Sequence, residues 1–225
     1  MDTKQKILDT AERLIATQGF AATSLRQIIS EAGVNLAAVH YHFGSKQDLL
    51  DQIILRKASG VNAEREAMLE RLEGESSSGV VPVAQILGAF FAPMIRKGSQ
   101  NPQFVKLMGR MHTEGLLPAV VEKHFQPTAT RFVKALHRAV PELSEGELFW
   151  RVQFMYGAMS QAVCGWDTAP LGLGVQRDAA DFGRVMQRLL TFLSAGFSAP
   201  ATAEDAAASF AGLETELAEY VVSPK

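Results

Sequence analysis

The sequence predicts an all-α fold with a small three-helix head at the N-terminus and a larger helical domain after it. Three observations support this prediction. Apolar residues recur at helical spacing along almost the whole chain, no stretch alternates convincingly like a β-strand, and short breaks containing glycine or proline separate the helical runs. We place the boundary between the two domains after residue 50, which gives domains of residues 1–50 and 51–225.

The head is predicted to contain three helices and the beginning of a fourth, at residues 3–18, 24–32, 36–43 and from residue 46 onward. Each helix starts beside a residue whose side chain can accept a hydrogen bond from the free amides of the first turn: Asp2 or Thr3, Thr23, Asn35 and Ser45. Each break contains a glycine, a residue that readily adopts the left-handed backbone at a helix end: Gly19, Gly33 and Gly44.

The larger domain begins within the long fourth helix, which is predicted to reach about residue 73. A polar loop over residues 73–79 follows this helix. Five more helical runs are then predicted, at residues 82–98, 102–115, 118–139, 144–168 and 178–197. The acidic, alanine-rich tail allows one further helix at residues 203–219.

The composition is that of an ordinary soluble globular protein of 225 residues, 47% of them hydrophobic and 20% charged. Cys164 is the only cysteine, which excludes an internal disulfide and paired-cysteine motifs, and its apolar neighbours indicate a buried, inert thiol. No signal-peptide core is visible, and the longest apolar stretch, residues 86–95, is shorter than the roughly 20 residues that cross a bilayer. We therefore expect a cytoplasmic protein without a membrane partner.

Motifs of catalysis and cofactor binding are weak in this sequence. The segment from His112 to Glu114 resembles the H-x-E of zinc deaminases, but those enzymes also need a cysteine pair. The segment from Gly172 to Gly174 lacks the third glycine of a dinucleotide-binding loop. The sequence therefore predicts no enzyme activity, no metal site and no cofactor.

Overall charge gives little support to nucleic-acid binding. The net charge is −2, and residues 1–57 contain seven lysines and arginines against six acidic residues. A strongly basic face, which is typical of many DNA-binding proteins, is therefore not expected. Binding to double-stranded DNA has to depend on where particular side chains lie.

Two short helices joined by the Gly33 turn indicate a helix-turn-helix unit. The inward positions of this unit are apolar: Leu25, Ile28, Ile29, Ala32, Val34, Val39 and Phe43. Such a pair needs a third helix to bury its apolar face, and the helix at residues 3–18 can provide it.

The outward positions of the unit are suited to DNA. Helix N-termini, polar tips and a lysine can bind phosphates, and they occur at Thr23, Ser24, Tyr41, His42 and Lys46. The exposed face near the start of the third helix is expected to read bases, and it contains Asn35, Leu36, Ala37, Ala38 and His40. The apolar members can contact only groups such as thymine methyls, whereas the amide and the imidazole can hydrogen-bond base edges.

Structural explanations exist for three of these residues. Asn35 can serve as a helix cap instead of a base reader. His42 can pack under the first helix, and Tyr41 can be a core aromatic whose hydroxyl reaches water. The sequence leaves these alternatives open.

The run TSLRQIISEAGVNLAAVHYHFGSKQDLL, residues 23–50, closely resembles the DNA-binding head of TetR-type transcriptional repressors. The resemblance covers about 45 residues and includes the AGV turn, the end of the third helix around YHF, and the lysine and two leucines that open the fourth helix. It implies phosphate contacts from Thr23, Tyr41, His42 and Lys46, and base contacts from residues 36–40. His40 departs from the family pattern, which often has tyrosine there.

The same resemblance implies a helical regulatory domain that binds a small ligand and dimerises through its last two long helices. The segment ELFWRVQFMYGA, residues 147–158, also resembles a branch of the family that responds to fatty acids or their acyl derivatives. This second resemblance rests on one helix in addition to the head.

Phenylalanine and methionine recur at helical spacing in the larger domain, which suits an adaptable apolar cavity. The residues proposed to line such a cavity are Phe90, Phe91, Phe104, Met108, Met111, Arg151, Phe154 and Met155. Candidate polar anchors for a carboxylate or similar group are Arg110, His112, Arg151 and Gln153. The alternative is an ordinary hydrophobic core with surface or interhelix polar residues.

The last two long helices are apolar on more than one side, so they need burial beyond one subunit. Candidate residues for a homodimer seam are Met159, Val163, Leu189, Leu190, Phe192, Leu193 and Phe197. Two functions remain: a dimeric repressor that binds a palindromic operator and responds to a small apolar ligand, or a helical lipid-binding or carrier protein whose head does not bind DNA.

Overall fold

The computed structural model describes residues 2–164 and 182–201 of the chain. Over these residues the chain forms ten α-helices and no β-strand, which confirms the all-α prediction. The helices are α1 (Thr3–Gln18), α2 (Leu25–Ala32), α3 (Leu36–Phe43), α4 (Lys46–Glu75), α5 (Val83–Gln100), α6 (Pro102–Thr113), α7 (Leu117–His124), α8 (Gln126–Ala139), α9 (Glu145–Cys164) and α10 (Phe182–Ser198).

Two of the predicted caps form as expected in the head. The Asn35 side chain accepts a hydrogen bond from the Ala38 amide at 2.8 Å, and the Ser45 hydroxyl accepts one from the Asp48 amide at 3.1 Å. Gly33 ends α2 with a left-handed φ of 64°. The limits of α1 and α3 are those that the sequence predicts.

The predicted cap at Thr23 is wrong, because Ser24 is the N-cap of α2 and accepts from the Gln27 amide at 3.1 Å. Thr23 is instead buried, and its hydroxyl donates to the Gly19 carbonyl at 2.6 Å. Asp2 stands at the N-cap position of α1 without a side-chain capping bond.

The helix predicted over residues 118–139 is also wrong, because the chain forms two helices there and Phe125 separates them. Pro127 lies in the first turn of α8. Proline has no amide hydrogen to donate to the preceding turn and its ring crowds the carbonyl four residues back, so it is best accommodated in the first turn of a new helix.

Buried apolar residues form two clusters. The first joins α1, α2, α3 and the start of α4, and it also contains residues from α6 and α7: Leu107, Met111 and Val120. The second fills the space between α5, α8, α9, α10 and the later part of α4. The helix α4 runs without a break through residue 50 and contributes to both clusters, so it connects the head rigidly to the larger domain.

Several sequence predictions fall outside the described residues. They are the break near residues 171–174, the helix at residues 203–219, and the side chains of Val163 and Cys164. The C-terminal end of the helix predicted over residues 144–168 and the N-terminal end of the helix predicted over residues 178–197 also lie outside them. Within the described residues, none of the helices combines the length and the apolar character needed to cross a membrane.

Candidate DNA-binding surface and ligand cavity

The exposed face of α3 is formed by Leu36, Ala37, His40 and Tyr41. Residues four positions apart lie on the same side of a helix, so these two neighbouring pairs form one surface. Leu36 is 53% exposed and Tyr41 is 86% exposed, while Ala37 and His40 are also exposed. Val39 and Phe43 point the other way and are buried in the head. The helix therefore presents a mostly apolar surface with two aromatic side chains that carry polar groups.

Two predicted base readers also hold α3 in place. The oxygen of the Asn35 side chain is used by the helix cap, which leaves its NH2 group free to donate outward. The His40 Nδ1 atom lies 3.0 Å from the Gly44 carbonyl oxygen. Because a carbonyl oxygen only accepts, Nδ1 carries the hydrogen in this contact, and Nε2 is the atom left for an outside partner.

Lys46 holds the loop between α1 and α2 against the start of α4. Its ammonium group donates to the carbonyl oxygens of Phe20 and Thr23, both at 2.9 Å, and lies 4.3 Å from the centre of the Phe20 ring. An ammonium group has three hydrogens, so one remains for a phosphate. The Thr23 side chain is buried beneath this contact and does not reach the surface.

The remaining predicted phosphate contacts lie at the surface. Ser24 is exposed at the start of α2, and His42 is half-buried beside the rings of Tyr41 and Phe43. The first turn of α2 contains no acidic residue, whereas Asp48 lies in the first turn of α4 and bonds to Ser45. The N-terminus of α2 is therefore the more favourable of the two helix ends for an anion.

Ion pairs occupy several cations in the head and in the adjoining part of α4. Arg56 and Lys57 of α4 both contact the Glu12 carboxylate at 2.7 Å, and Arg13 pairs with Glu31. Arg26 is exposed in the first turn of α2, and it forms no ion pair with the residues that the structure describes. Sequence reasoning missed Arg26, although its position two residues after Ser24 was a usable signal.

An apolar cavity lies in the larger domain, between α4, α5, α6, α7, α8 and α9. Its volume is about 650 Å³, including the open mouth. The lining residues are Val61, Arg65, Phe90, Met94, Phe104, Met108, Leu117, Val121, Phe125, Ala129, Tyr156, Met159 and Ser160.

Three of the eight proposed ligand residues, Phe90, Phe104 and Met108, line this cavity. Met155 lines a smaller void next to it, which Phe90 also lines. The other four lie elsewhere, so we do not keep them as cavity residues. Phe91 and Met111 are fully buried in the two cores, Arg151 is buried near the end of α10, and Phe154 is 66% exposed on the surface.

Arg151 is a structural residue of α9 and not a free anchor. Its guanidinium pairs with the Glu147 carboxylate at 2.7 Å. It also donates to four backbone carbonyl oxygens at and after the end of α10, at 2.8–3.0 Å: those of Gly196, Phe197, Ala199 and Pro200. The other anchors suggested by the sequence are also occupied or exposed, since Arg110 donates to the Thr17 carbonyl and Gln153 faces solvent.

The charged residue in the described lining of the cavity is Arg65, which sequence reasoning missed. Only 4% of Arg65 is exposed, its Nε donates to the Phe90 carbonyl at 2.7 Å, and its guanidinium carbon lies 3.9 Å from the centre of the Phe90 ring. Burial lowers the pKa of Arg65 to about 10, so it stays charged at neutral pH. Burial also raises the pKa of Tyr156, the other titratable group in the lining.

The helix α6 connects the cavity to the head. Phe104 and Met108 of α6 line the cavity, whereas Met111 is part of the head core. At the end of α6, the Glu114 carboxylate accepts hydrogen bonds from the amides of Phe20 and Ala21, both at 2.9 Å. A displacement of α6 in the cavity would therefore reach the loop that precedes α2.

Two family models match this chain and together span most of it. The model described as "Bacterial regulatory proteins, tetR family" matches residues 7–53, and "Tetracyclin repressor-like, C-terminal domain" matches residues 86–196. The chain belongs to the TetR family of transcriptional regulators. The TetR family is a family of transcriptional regulators, which is not a class of enzyme.

A curated relative agrees with this membership, and two solved structures share the fold. The HTH-type transcriptional regulator AcrR of Shigella flexneri is 46% identical over 52 residues, which cover 23% of this chain and 24% of that protein. The chain therefore matches about a quarter of that relative's length. The fatty acid degradation regulator FadR from Bacillus halodurans has a TM-score of 0.66 at 13% identity, covering 88% of this regulator and 97% of that chain.

The second structure is FadR from Bacillus subtilis in complex with stearoyl-CoA. Its TM-score is 0.61 at 15% identity, and the match covers 85% of this regulator and 98% of that chain. Identities this low show that the fold is shared and no more than that.

The TetR-family regulator also has an exposed aromatic surface on its last two described helices. Phe149, Trp150 and Phe154 of α9 are each more than half exposed, and Phe192 of α10 is 70% exposed. The rings of Trp150 and Phe154 stack with centroids 6.1 Å apart. Of the predicted seam residues, Leu189, Leu193 and Phe197 are instead buried in the subunit's own core.

Proposed function

We propose that this TetR-family regulator is a repressor that binds a palindromic operator as a homodimer and releases it when a small apolar ligand enters the cavity. The observation that most supports this proposal is the position of α6. This helix lines the cavity with Phe104 and Met108, and Glu114 at its end accepts hydrogen bonds from the head. In this proposal, residues 1–50 bind DNA in the cytoplasm and residues 51–225 bind the ligand and the second subunit.

The proposed DNA contacts follow from exposure and charge. Leu36, Ala37, Ala38, His40 and the amide of Asn35 contact base edges in the major groove. Phosphates are contacted by Ser24, Tyr41, His42, Lys46 and the additional residue Arg26. Thr23 supports the loop from beneath instead of touching the DNA, because its side chain is buried.

The proposed mechanism is a shift between two populations of the dimer. Ligand-free dimers hold their two α3 helices at the separation of successive major grooves, about 34–36 Å for one turn of DNA. A ligand that contacts Phe104 and Met108 favours a different position of α6, and Glu114 transmits this to the head. Such a ligand lowers DNA affinity only to the extent that it binds the second state more tightly.

The proposed ligand is mainly apolar, because most of the described residues that line the cavity are aliphatic, aromatic or methionine. A fatty acid or an acyl derivative fits this description. The stearoyl-CoA complex of the structurally similar FadR from Bacillus subtilis is consistent with it.

Binding to DNA from the protein's own upstream region tests the proposal. We expect the full chain to shift at least one upstream fragment in a mobility assay, with an affinity that falls steeply as salt increases because phosphate contacts release counterions. The variant Tyr41→Ala, which removes an 86% exposed side chain, should weaken the shift without unfolding the protein. A matched control is Val80→Ala, which removes an exposed side chain in the loop between α4 and α5.

No shift on any upstream fragment at low salt would reject the repressor proposal. A lipid-binding or carrier protein whose head does not bind DNA would then be the better explanation. Equal effects of Tyr41→Ala and Val80→Ala would reject the proposed DNA-binding surface while leaving regulation by another surface intact.

A further inference from the structure

The charge of Arg65 is buried in the cavity, and no carboxylate of the described residues balances it. Its hydrogen bonds within the described part of the chain go to two neutral groups, the Phe90 carbonyl at 2.7 Å and the Asn62 side-chain oxygen at 3.4 Å. No aspartate or glutamate of the described residues lies within ion-pair distance of it. Its Nη2 atom makes no hydrogen bond to these residues.

Arg151 is a buried arginine with a structural role, and its partners can be compared with those of Arg65. Arg151 is 8% exposed and is balanced by Glu147 as well as by four backbone carbonyl oxygens. Arg65 is 4% exposed, and the described part of the chain gives it neither a carboxylate nor a comparable set of carbonyls. Burying a charge is costly unless it is paired, so the environment of Arg65 is incomplete in the same way that a binding site is incomplete without its ligand.

The surroundings of Arg65 indicate how much charge a ligand can carry. Among the lining residues that the structure describes, Arg65 is the only cation, and the other polar side chains are Tyr156 and Ser160. The Ser160 hydroxyl also lies 2.9 Å from His112 Nδ1. One cation in an otherwise apolar cavity can balance one negative charge, whereas each further phosphate or carboxylate buried there would stay unpaired.

We propose that Arg65 binds the carboxylate of a small amphipathic monocarboxylic acid whose apolar part contacts Phe90, Phe104 and Met108. The planar guanidinium offers two parallel donors to a carboxylate, a geometry that a neutral head group cannot use equally well. This inference rests on the proposed function, because it takes the cavity as the effector site. It narrows the ligand to the free acid and excludes the polyanionic coenzyme A thioester.

The test compares ligands that differ only in the head group. Calorimetry on the full chain measures the affinities of a panel of acids, from hexanoate to myristate and including 4-phenylbutyrate. Each acid is compared with its neutral amide and its coenzyme A thioester, for example decanoate with decanamide and decanoyl-CoA. We expect at least one acid of the panel to bind about ten-fold or more tightly than its own amide, as for a charge-assisted pair. We also expect it to bind more tightly than its coenzyme A thioester.

Substitutions at Arg65 then test whether this residue causes the preference for the acid over the amide. Arg65→Gln is neutral and keeps a donor for the Phe90 carbonyl, so it should reduce acid affinity about ten-fold while leaving the amide within about three-fold. Arg65→Lys keeps the charge and should keep part of the preference for the acid. The control Arg71→Gln removes a 65% exposed guanidinium from the same helix and should change neither affinity. Circular dichroism checks that each variant is folded.

Three outcomes would overturn the inference: equal affinity of acid and amide in the unchanged protein, tighter binding of the coenzyme A thioester than of the acid, or no binding by any acid of the panel. An unchanged preference in Arg65→Gln would overturn the role of Arg65. If Arg65→Gln does not fold, the affinities of the unchanged protein and of Arg65→Lys for the acid and the amide still test the inference. The calorimetry contains no DNA, so a failure of the proposed repressor function shows separately, as acid binding that leaves the mobility shift unaltered.

Discussion

Some of the residues proposed to contact DNA also support the fold of the head, and Lys46 is the clearest example. Two of its three ammonium hydrogens hold the carbonyls of Phe20 and Thr23, and the third is left for a phosphate. The same loop is held from the other side by Glu114. A phosphate bound by Lys46 would therefore contact the part of the head that α6 positions.

Replacing Lys46 with alanine should weaken binding to all DNA sequences and reduce the slope of log affinity against log salt by about 0.9, as for one lost phosphate contact. Loss of the charged hydrogen bonds to two carbonyls should also lower the free energy of unfolding by about 1–3 kcal/mol. Salt titrations of the mobility shift and urea unfolding measure the two effects separately.

The control for this substitution is Lys134→Ala, which removes an exposed lysine from α8. It should leave the salt slope unchanged. If Lys46→Ala alters sequence preference but not the slope, Lys46 does not contact a phosphate.

Residue-level prediction from sequence succeeded where a side chain acts locally and failed where its role depends on the assembled fold. The caps at Asn35 and Ser45 involve amides three residues away, so the chain order alone identifies them. Arg65 acquires its role from α5, which lies 25 residues further along the chain. A signal was nevertheless present, because Arg65 follows Ala58 and Val61 and precedes Leu69 on the buried face of α4.

Among the helices, α5 and α10 pack closely together, and Gly98 is the point of close approach. A Cβ atom at Gly98 would lie 2.5 Å from Cε1 of Phe182 and 3.1 Å from Cγ2 of Val105. Gly88 of the same helix has no such neighbour within 4 Å. The two glycines therefore give a matched pair for testing the packing.

Gly98→Ala should lower the free energy of unfolding by about 1–3 kcal/mol, because the added methyl group overpacks the contact with Phe182. Gly88→Ala should raise it by about 0.5–1 kcal/mol, because alanine is the better helix former and the space is open. Urea unfolding at one protein concentration measures both. If both substitutions are stabilising, α5 and α10 do not approach as closely as described.

The helix α6 is expected to couple the two proposed sites. Glu114→Ala removes the acceptor for the amides of Phe20 and Ala21, so it should leave ligand affinity unchanged and reduce the ligand's effect on DNA affinity about five-fold, or about 1 kcal/mol of coupling. DNA binding with and without saturating ligand gives this ratio. Glu122→Ala, which removes an exposed carboxylate of α7, is the control. A full ligand response in Glu114→Ala would contradict the coupling role of α6.

The boundaries of the head helices were predictable because cap residues and glycines mark them in the sequence. The break at Phe125 was not predicted, although Pro127 is visible, because an apolar pattern of helical period continues on both sides of it. The cavity was predicted in outline but not in detail. Phe90 and Phe91 are adjacent in sequence and face different surroundings, since one residue of a helix turns the side chain by about 100°.

At the scale of the whole molecule, the aromatic surface on α9 and α10 is the main feature that one subunit leaves unexplained. Large apolar side chains that are more than half exposed and adjacent to one another usually mark a contact surface. A groove between these two helices is lined by residues of α9 (Ala158, Gln161 and Ala162) and of α10 (Val185, Arg188, Leu189 and Phe192). A second copy of α9 and α10 could lie against this groove in a two-fold arrangement, in which the same surface is used by both subunits.

Phe154→Glu should therefore convert a dimer into a monomer, because it places two like charges in the middle of a self-complementary apolar interface. The side chain is 66% exposed in the single chain, so the fold of the subunit should tolerate the change. Light scattering after size-exclusion chromatography should show the mass falling from two chains to one. Operator affinity should fall in parallel, because a lone head contacts only one half-site. Val80→Glu, at an exposed apolar residue far along the chain from α9, should leave a dimer. A Phe154→Glu protein that remains dimeric would place the interface on another surface and would leave the exposed aromatic residues for a different partner.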